Sequence, residues 1–447
     1  MPPPVINPDF ERRAYWHATM PSLPDRRGRA LPDTADIVVV GGGYTGISCA
    51  LALARGGASV TLLEAHELGR GASTRNGGIA HPGYKWGLAS LVERYGAARG
   101  TALFQESLDA YAFLRTMIEE SGIECEWREH GHLELAHSHA HVAGLELDEG
   151  GFRALDQPAR MLSGGDLLRE VGSTVYPAAL AVDGSGLLHP GKWFAGLAGL
   201  AETAGVDLHE GVRARAVRRQ ADGRVVVETD RGAVLAGQVV VATNGYTDGA
   251  APWLRRRVIP VGSYIIATAP LSEEVARSVA PTGRAFFDTK NFLNYWHVAT
   301  GRRLLFGGRV SFVPTTVDRT AAILYRQMIR VHPQVTGVRV DYAWGGKVAL
   351  TMDRMPHVGR SGPLAYAMGY CGSGVAMSVY LGTRLAGWLG GGPAPVLAGL
   401  RFPVVPVPFE GRPWFLPIVG EWLRLQDRLA ARVRPRGSPG AGPDAAG

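Results

Sequence analysis

Residues 37–40, Ile-Val-Val-Val, form a continuous β-branched run, which is typical of a parallel strand buried on both faces. After a glycine turn, apolar residues recur at helical spacing over 47–54, and Gly56-Gly57 ends this predicted amphipathic helix. A second apolar run at 60–63 predicts the next strand. The order strand, turn, helix, strand is that of a doubly wound α/β domain.

The same patterns predict the elements of the remaining chain. They are a long helix over 88–121, a pair of strands at 212–217 and 225–229, a buried strand at 239–241 that enters a small-residue turn, antiparallel strands at 264–266, 294–297 and 303–307, a strand, glycine turn and helix over 368–389, and a helix near 421–432.

The first glycine turn has the spacing Gly41-x-Gly43-x-x-Gly46. In a dinucleotide site the first glycine permits the tight turn, the second lets a pyrophosphate approach the backbone, and the third lets the helix pack close to the strand. Glu64 ends the next strand, where a carboxylate hydrogen-bonds an adenosine ribose. The pattern predicts a dinucleotide site and favours FAD or NAD over NADP, because an acid there disfavours a 2′-phosphate.

A second loop, over residues 68–79, is too rich in glycine and polar residues to be a core element. Its backbone N–H groups and the hydroxyls of Ser73 and Thr74 are suited to hold a second part of a long cofactor. NAD would not need such a loop.

Composition indicates a globular chain of two or three domains, with 447 residues of which 46% are hydrophobic. No apolar run of about 18 residues and no charged-then-apolar leader is present, so we expect no transmembrane helix and no secretory signal. The three cysteines, Cys49, Cys125 and Cys371, have no metal-site spacing and form no even-numbered framework. A cytoplasmic location is the expectation. The sequence leaves the oligomeric state open.

The net charge of +7 comes almost wholly from arginine, since only four residues are lysines. The arginines are scattered and accompany no DNA- or RNA-binding motif, so we expect no nucleic-acid partner.

Five histidines between 130 and 141 raise the alternative of a metal site. They alternate with leucines along a predicted strand and then enter a polar loop, without cysteine or acidic ligands at a metal spacing. We expect no metal.

Seven segments carry a resemblance to a known family. They are the Gly41 motif, Gly71-Ala72-Ser73-x-Arg75-Asn76-Gly77-Gly78, Ala242-Thr243-Asn244-Gly245-Tyr246, Arg303-Leu304-Leu305-Phe306-Gly307-Gly308, Trp344-Gly345-Gly346, Gly369-Tyr370-Cys371-Gly372-Ser373-Gly374 and Gly411-Arg412-Pro413-Trp414. Together they resemble the D-amino acid oxidase superfamily of FAD-dependent oxidoreductases, and most nearly its gamma-glutamylputrescine oxidase-like amine oxidases. The resemblance extends from about residue 15 to 428.

The resemblance implies a mixed α/β (α+β) fold, in which a discontinuous Rossmann-like FAD-binding domain meets an antiparallel-sheet substrate domain. The implied division is an N-terminal arm over 1–34, an FAD-binding domain over 35–88, 160–250 and 343–395, a substrate domain over 89–159 and 251–342, a C-terminal closing segment over 396–433 and a disordered tail over 434–447.

The resemblance also implies a set of FAD-binding residues. The ADP portion would be held by Gly41, Gly43, Tyr44, Thr45, Gly46, Glu64 and Ala65, and the ribityl and flavin by Ser73, Thr74, Arg75, Asn76, Gly77, Gly78 and Ile79. Adenine would meet the backbone of Ala214, and the pyrimidine side of the ring would meet Gly372, Ser373, Gly374, Val375, Ala376 and Met377. The set is completed by Gly71, Ala72, Ala242, Thr243, Asn244, Gly245 and Gly346.

Several positions depart from the family pattern. Where sarcosine oxidase-like relatives carry a cysteine for covalent flavin, this chain has Val348-Ala349-Leu350, which implies noncovalent FAD. A lysine that grips the substrate carboxylate in those relatives is replaced by Ala376, and a histidine in the same loop by Ser373. The related polyamine branch tends to carry arginine where His297 stands. We therefore expect an amine whose charge or polarity lies elsewhere, in preference to a plain amino acid.

The implied activity is oxidation of the C–N bond of an amine or amino-acid-like substrate to an imine, with O2 as electron acceptor and H2O2 as product. Lys347 is the candidate cation for oxygen reduction, and His81, Tyr295 and His297 are candidates to orient the amine.

Three alternatives remain. A dehydrogenase could pass electrons to a membrane quinone, because Arg424, Arg428 and Arg432 recur along the C-terminal helix and suit weak contact with an anionic surface. A second alternative is an FAD protein that is not catalytic or acts on another substrate class, such as tRNA. A nicotinamide-dependent hydroxylase or disulfide reductase would need a second nucleotide site or a redox cysteine pair, and neither is visible.

Overall fold

The computed structural model describes residues 6–310, 312, 315–409, 411 and 413–431. The strands are β1 (Ile6–Glu11), β2 (Thr34–Val40), β3 (Val60–Leu63), β4 (Ile79–Ala80), β5 (His132–Leu135), β6 (Ala159–Ser163), β7 (Ala178–Val182), β8 (Gly186–Leu187), β9 (Asp207–His209), β10 (Ala214–Arg219), β11 (Val225–Thr229), β12 (Gly232–Val241), β13 (Ile259–Thr268), β14 (Ala285–Asp288), β15 (Asn294–Val298), β16 (Leu304–Gly308), β17 (Val340–Leu350), β18 (His357–Ser361) and β19 (Leu364–Met368). The helices are α1 (Tyr15–Thr19), α2 (Tyr44–Arg55), α3 (Leu88–Tyr95), α4 (Ala97–Ser121), α5 (Val142–Arg153), α6 (Gly164–Val171), α7 (Pro190–Thr203), α8 (Pro252–Arg255), α9 (Glu273–Val279), α10 (Val317–Val331), α11 (Gly374–Leu389) and α12 (Leu416–Ala430).

The first sheet has the strand order β10-β11-β12-β2-β3-β9, and β19 and β18 continue it beside the second half of β12. Its centre is parallel, because β2 pairs in parallel with β12 and β3, and β3 with β9. Val38 and Val39 in β2 are fully buried, as the β-branched run predicted. The strand–turn–helix–strand unit and the mixed α/β fold class are confirmed.

Helices α2 and α11 pack over this sheet. Helix α2 follows the glycine turn and lies against α11, whose Gly382 approaches the backbone O of Thr45 so closely that a Cβ would lie 2.5 Å from it. Helix α7 packs against the same α2. The opening of α2 is therefore held at the carboxyl end of β2, where ligands of doubly wound sheets bind.

The second sheet has nine strands in the order β1-β17-β13-β16-β15-β14-β5-β7-β6. The predicted strands at 294–297 and 303–307 form its antiparallel pair β15·β16. The sheet is mainly antiparallel, as expected, although β1 pairs with β17, and β14 with β5, in parallel. Both parallel pairs join strands that are distant in the sequence, where no tight hairpin sets the direction.

The sheets also distribute the chain differently from the expected domains. Strands β6 and β7, expected in the FAD-binding domain, belong to the nine-stranded sheet, as does β17. Helix α4, expected in the substrate domain, packs against α11. The long helix expected over 88–121 is two helices, because Gly96 between α3 and α4 has φ +81° and cannot continue a helix.

The two ends of the described chain lie on the body. In the expected N-terminal arm, β1 joins the nine-stranded sheet, and Trp16 in α1 is buried. The helix expected near 421–432 is α12, which begins earlier, at Leu416. Arg432 and the tail expected to be disordered, 434–447, lie outside the described residues. Among the described residues, no helix is long and apolar enough to cross a membrane.

Candidate active site

The glycine turn between β2 and α2 has no room for side chains. A Cβ built on Gly46 would lie 1.9 Å from the backbone O of Gly41, and one on Gly41, whose φ is +109°, would lie 2.9 Å from the O of Ala242. Gly43 is the N-cap of α2 and offers no capping side chain. A helix N-terminus framed by bare backbone suits a pyrophosphate.

Glu64 lies beside this turn. Its Oε2 accepts the N–H of Gly42 at 2.9 Å, and its Oε1 accepts the N–H of His66 at 2.9 Å. Burial raises the pKa of Glu64, while the two backbone bonds oppose that rise. Each oxygen keeps a second lone pair, so the predicted bond from a ribose hydroxyl remains compatible with this arrangement.

The second glycine loop continues from the turn. Ser73 Oγ accepts the N–H of Tyr44 at 2.8 Å. The amide of Asn76 closes the loop on itself, donating to the backbone O of Ser73 at 2.9 Å and accepting the N–H of Gly78 at 2.8 Å. One continuous backbone surface therefore leads from the pyrophosphate turn to the region predicted for the flavin, which is the geometry that FAD requires.

Three ring N–H groups donate hydrogen bonds to consecutive backbone carbonyls of this loop, those of residues 75–77. Trp16 Nε1 donates to Asn76 O at 2.8 Å and Trp344 Nε1 to Arg75 O at 3.0 Å. His297 Nε2 lies 2.8 Å from Gly77 O and must donate to it, because a carbonyl only accepts. Burial lowers the pKa of His297 to about 4. This position corrects the expectation for His297, which lies behind the loop and not on the cavity wall.

We predict that Trp16→Phe weakens FAD binding about tenfold, because it leaves a partly buried carbonyl of the flavin loop, that of Asn76, without its donor. FAD titration of the apoprotein measures the effect. The matched control is Trp414→Phe, which removes a similar indole bond, to Pro408 O at 3.1 Å, on the exposed surface. Equal affinities of the Trp16 variant and wild type would contradict this role for the arm.

The remaining predicted cofactor residues lie around these two loops. Asn244, in the turn after β12, accepts the N–H of Gly369 at 2.9 Å and so ties this turn to the segment before α11. A Cβ on Gly245 would lie 3.4 Å from the backbone O of Lys347. Val212, two residues before Ala214, donates its N–H to the backbone O of Glu64 at 2.9 Å. These contacts place the predicted residues at one edge of the sheet.

Some predicted residues have buried side chains that face the core. Tyr44 OH donates to Pro190 O at 3.0 Å, and Thr45 Oγ1 lies 2.7 Å from Tyr370 OH. Ala376 and Met377 are buried in the first turn of α11. These four residues can therefore contact a cofactor only through their backbone atoms.

A cavity of about 240 Å³ lies where the two sheets meet. Its wall includes residues of the predicted cofactor segments and of β17, namely Ala72, Arg75, Asn76, Gly77, Ile79, Gly346, Lys347, Val348, Cys371, Gly372, Ser373 and Val375. The rest of the wall comes mainly from other strands of the nine-stranded sheet and from residues 81–87. The predicted flavin-binding loops therefore share one cavity with the sheet that was expected to bind the substrate.

Tyr295 forms part of the cavity wall. Its ring lies over the backbone of two glycines, and a Cβ on Gly77 would lie 3.0 Å from it. A Cβ on Gly307 would overlap the same ring. The hydroxyl is 3.1 Å from Ser263 Oγ, and burial raises the pKa of Tyr295 to about 12. A neutral phenol at this place can orient a polar group of the substrate.

His81 faces the same cavity. Its Nδ1 lies 2.8 Å from Pro82 O and must donate to it, which leaves Nε2 as an acceptor. Burial lowers the pKa of His81 to about 4, so the ring is neutral near pH 7. The centre of the His81 ring lies 5.6 Å from that of His132. Phe287 in turn stacks on His132, with ring centres 4.9 Å apart. In the described parts of the chain, no group of three or more His, Cys, Asp or Glu residues could hold a metal ion.

Four charged residues of the cavity wall were not predicted from the sequence: Lys85, Glu134, Asp148 and Arg309. Burial raises the pKa of Glu134 to about 7 and that of Asp148 to about 6. Burial also lowers the pKa of Lys85 and of Arg309. The side chain of Lys85 is open to the cavity although protein surrounds it.

Two signals in the sequence could have indicated these residues. In β5, the polar His132 and Glu134 alternate with Leu133 and Leu135, so the period of a strand points both polar side chains to one face. Lysine is rare in this chain, and two of the four lysines, Lys85 and Lys347, line the cavity.

We predict that Glu134→Gln changes how stability depends on pH. A carboxyl with a pKa near 7 when folded and 4.5 when unfolded favours folding below pH 4.5, and this contribution is lost as the pH rises through 7. The full effect is about 3 kcal/mol. Thermal unfolding at pH 5 and pH 8 should show the variant gaining stability over wild type at pH 8. If the variant and wild type differed in unfolding temperature by the same amount at both pH values, the raised pKa of a buried Glu134 would be contradicted.

Together, the pyrophosphate turn, the second backbone loop and the cavity between the sheets define an FAD-dependent oxidoreductase. The model of the DAO family, "FAD dependent oxidoreductase", matches residues 36–388, and the chain belongs to this family.

Relatives and solved structures agree with this assignment. The chain is 34% identical over 360 residues to "Probable oxidoreductase OrdL" of Haemophilus influenzae, covering 79% of this chain and 82% of the relative. It is 33% identical over 402 residues to "Gamma-glutamylputrescine oxidoreductase" of Escherichia coli strain K12, covering 89% and 93%. The structure of glycine oxidase from Geobacillus kaustophilus has a TM-score of 0.70 at 20% identity, covering 85% of this chain and all of that one, which shows a shared fold.

Proposed function

We propose that this enzyme oxidises the carbon next to the nitrogen of an amine and delivers the electrons to O2. In balanced form, a primary amine, O2 and water give a carbonyl compound, ammonia and H2O2, with an imine as the first product. Bound FAD would accept the hydride equivalent from the substrate carbon. The cavity carries the proposal, because it joins the flavin-loop backbone to a wall of aromatic, acidic and basic side chains.

The residues around the reacting carbon would work by orientation. The Nε2 of neutral His81 can accept a hydrogen bond from the amine, and the phenol of Tyr295 can fix its position. Aromatic faces such as Phe287 provide an apolar wall for the carbon chain. Little proton transfer is needed once the amine is neutral, because the cofactor performs the difficult step.

We propose that the flavin is held without a covalent bond. Residues 348–350, where related enzymes carry their flavin-linked cysteine, are Val-Ala-Leu in β17. Cys371 does line the cavity, but its Sγ donates to Gly369 O at 3.3 Å. Burial raises the pKa of Cys371, which keeps the thiol protonated. Acid precipitation should release the flavin into the supernatant.

For the substrate class, we propose an amine with a zwitterionic group at its far end. The name of the Escherichia coli relative specifies such a compound, putrescine that carries a gamma-glutamyl group. In this chain, Glu134 and Asp148 could bind a distal ammonium, and Lys85 and Arg309 a distal carboxylate. The buried alanine at position 376 has no charge to offer a carboxylate at the reacting carbon.

A substrate comparison tests the proposal. Gamma-glutamylputrescine, putrescine and glycine are each incubated with the holoenzyme, and carbonyl product, ammonia and H2O2 are quantified. We expect one H2O2 per carbonyl, and kcat/KM on the order of 100-fold higher for the acylated diamine than for putrescine, because the distal contacts are charge-assisted. Glycine as the best substrate would contradict the substrate class, and carbonyl formed without H2O2 would contradict O2 as acceptor.

A further inference from the structure

Helix α12 is attached to the body along one face. The carboxylate of Asp427 accepts the N–H groups of Asn291 at 3.0 Å and Phe292 at 3.1 Å. The guanidinium of Arg424 lies 4.7 Å from the centre of the Phe292 ring. Gly420 is buried and lets the helix approach Phe312, against which a Cβ would lie at 2.8 Å. The inward face of α12 therefore combines these polar and small residues with Leu416, which is buried against Val261 and Phe409 at the start of the helix.

The opposite face of α12 is apolar and exposed. The exposed fractions are 70% for Ile418, 60% for Trp422, 44% for Leu425 and 53% for Leu429. The spacing i, i+4, i+7, i+11 puts these side chains in one stripe along the helix. Trp414, just before the helix, is also 60% exposed. We call these five residues the apolar stripe. Such a contiguous exposed face marks an interaction surface.

Positive charge accompanies the stripe. Arg428 is exposed in the last turn of α12. In the sequence that follows the helix, Arg432, Arg434 and Arg436 occur, and residues 428–443 include no acidic residue. The exposed Glu421 is paired with Arg424. An apolar stripe with tryptophans and adjoining arginines has the composition of a helix that lies in the interface of an anionic membrane.

We propose that α12 docks this enzyme on an anionic lipid surface, with the apolar stripe in the boundary between headgroups and acyl chains. A second copy of the chain is a less suitable occupant, because each copy carries a net charge of +7 and would repel the other. An anionic bilayer supplies both an apolar phase for the stripe and counter-charge for the arginines. This inference is independent of the substrate and of the electron acceptor.

Vesicle sedimentation of the full-length holoenzyme tests the proposal. The probes are vesicles of phosphatidylglycerol and phosphatidylcholine in equal amounts, and vesicles of phosphatidylcholine alone. The test variant is Ile418→Ser/Trp422→Ser, and the matched control is Leu147→Ser, which changes a leucine on α5 that is 63% exposed. The bound flavin spectrum and the unfolding temperature verify that each variant is folded.

We expect wild type and Leu147→Ser to sediment with the anionic vesicles. Salt at about 0.5 M should weaken this binding, because it screens the attraction between the arginines and the anionic headgroups. The double variant should bind on the order of 100-fold more weakly, because two large apolar side chains no longer enter the bilayer. Equal binding of the double variant, or equal binding to neutral vesicles, would overturn the proposal. So would a wild-type dimer that the double variant converts to a monomer, since the stripe would then belong to a second copy.

Discussion

Gly46→Ala is expected to yield a protein that has lost FAD. The new Cβ would lie 1.9 Å from the backbone O of Gly41, so the turn or the start of α2 must move. Either movement displaces the backbone N–H groups that would bind the pyrophosphate. If two of the hydrogen bonds from these N–H groups to the charged pyrophosphate are lost, FAD binding weakens on the order of 100-fold or more.

Fluorescence titration of the apoprotein with FAD measures this loss. Gly199→Ala is the matched control, because Gly199 is an exposed glycine of α7 with open space around its Cβ position. That variant should bind FAD as wild type does, and alanine favours the helix. Wild-type affinity in Gly46→Ala would mean that the cofactor does not use this turn.

Lys347→Met is expected to slow oxidation of the reduced enzyme by O2 on the order of 100-fold, and to leave anaerobic reduction by the amine unchanged. Lys347 lines the cavity next to Gly346, which approaches Arg75 of the flavin loop. Its Nζ lies 5.3 Å from the centre of the Tyr246 ring. Reduction of O2 builds negative charge, which a fixed cation stabilises.

Lys85→Met separates the two lysines of the cavity. We expect this variant to raise KM for the acylated diamine and to leave the reaction with O2 unchanged, because Lys85 is proposed to bind the distal carboxylate. Stopped-flow measurements of the reductive and oxidative halves distinguish the two roles. Slow reoxidation in Lys85→Met, with normal reoxidation in Lys347→Met, would assign the oxygen-reactive cation to Lys85 and contradict our proposal.

Patterns within a short stretch of sequence were sufficient to predict the strand–turn–helix–strand segment of the nucleotide site. The β-branched run of β2, the three glycines and Glu64 all lie within residues 37–64, and each has a direct role in a strand–turn–helix–strand nucleotide site. The break at Gly96 was missed because a single glycine is tolerated within a helical pattern, and its positive φ is visible only in the structure. The parallel pairing of β5 with β14 was missed because a strand's own pattern does not name its partner.

The cavity was harder to predict because its residues come from distant segments. Lys85, Glu134, Asp148 and Arg309 meet only when both sheets are assembled. Asp148 is on α5, a helix that was not predicted from the sequence. His297 shows the opposite failure, since its residue type suggested catalysis while its ring supports the flavin loop. Residue type alone does not give the direction of a side chain.

The most direct test is the absorption spectrum of the purified protein before and after anaerobic addition of an amine. We expect a yellow protein whose flavin band is bleached by gamma-glutamylputrescine and restored when air is admitted. Bleaching would establish that the bound FAD accepts electrons from an amine. A flavin band that no amine bleaches, in a protein that retains FAD, would contradict amine oxidation while leaving the fold and the cofactor site intact.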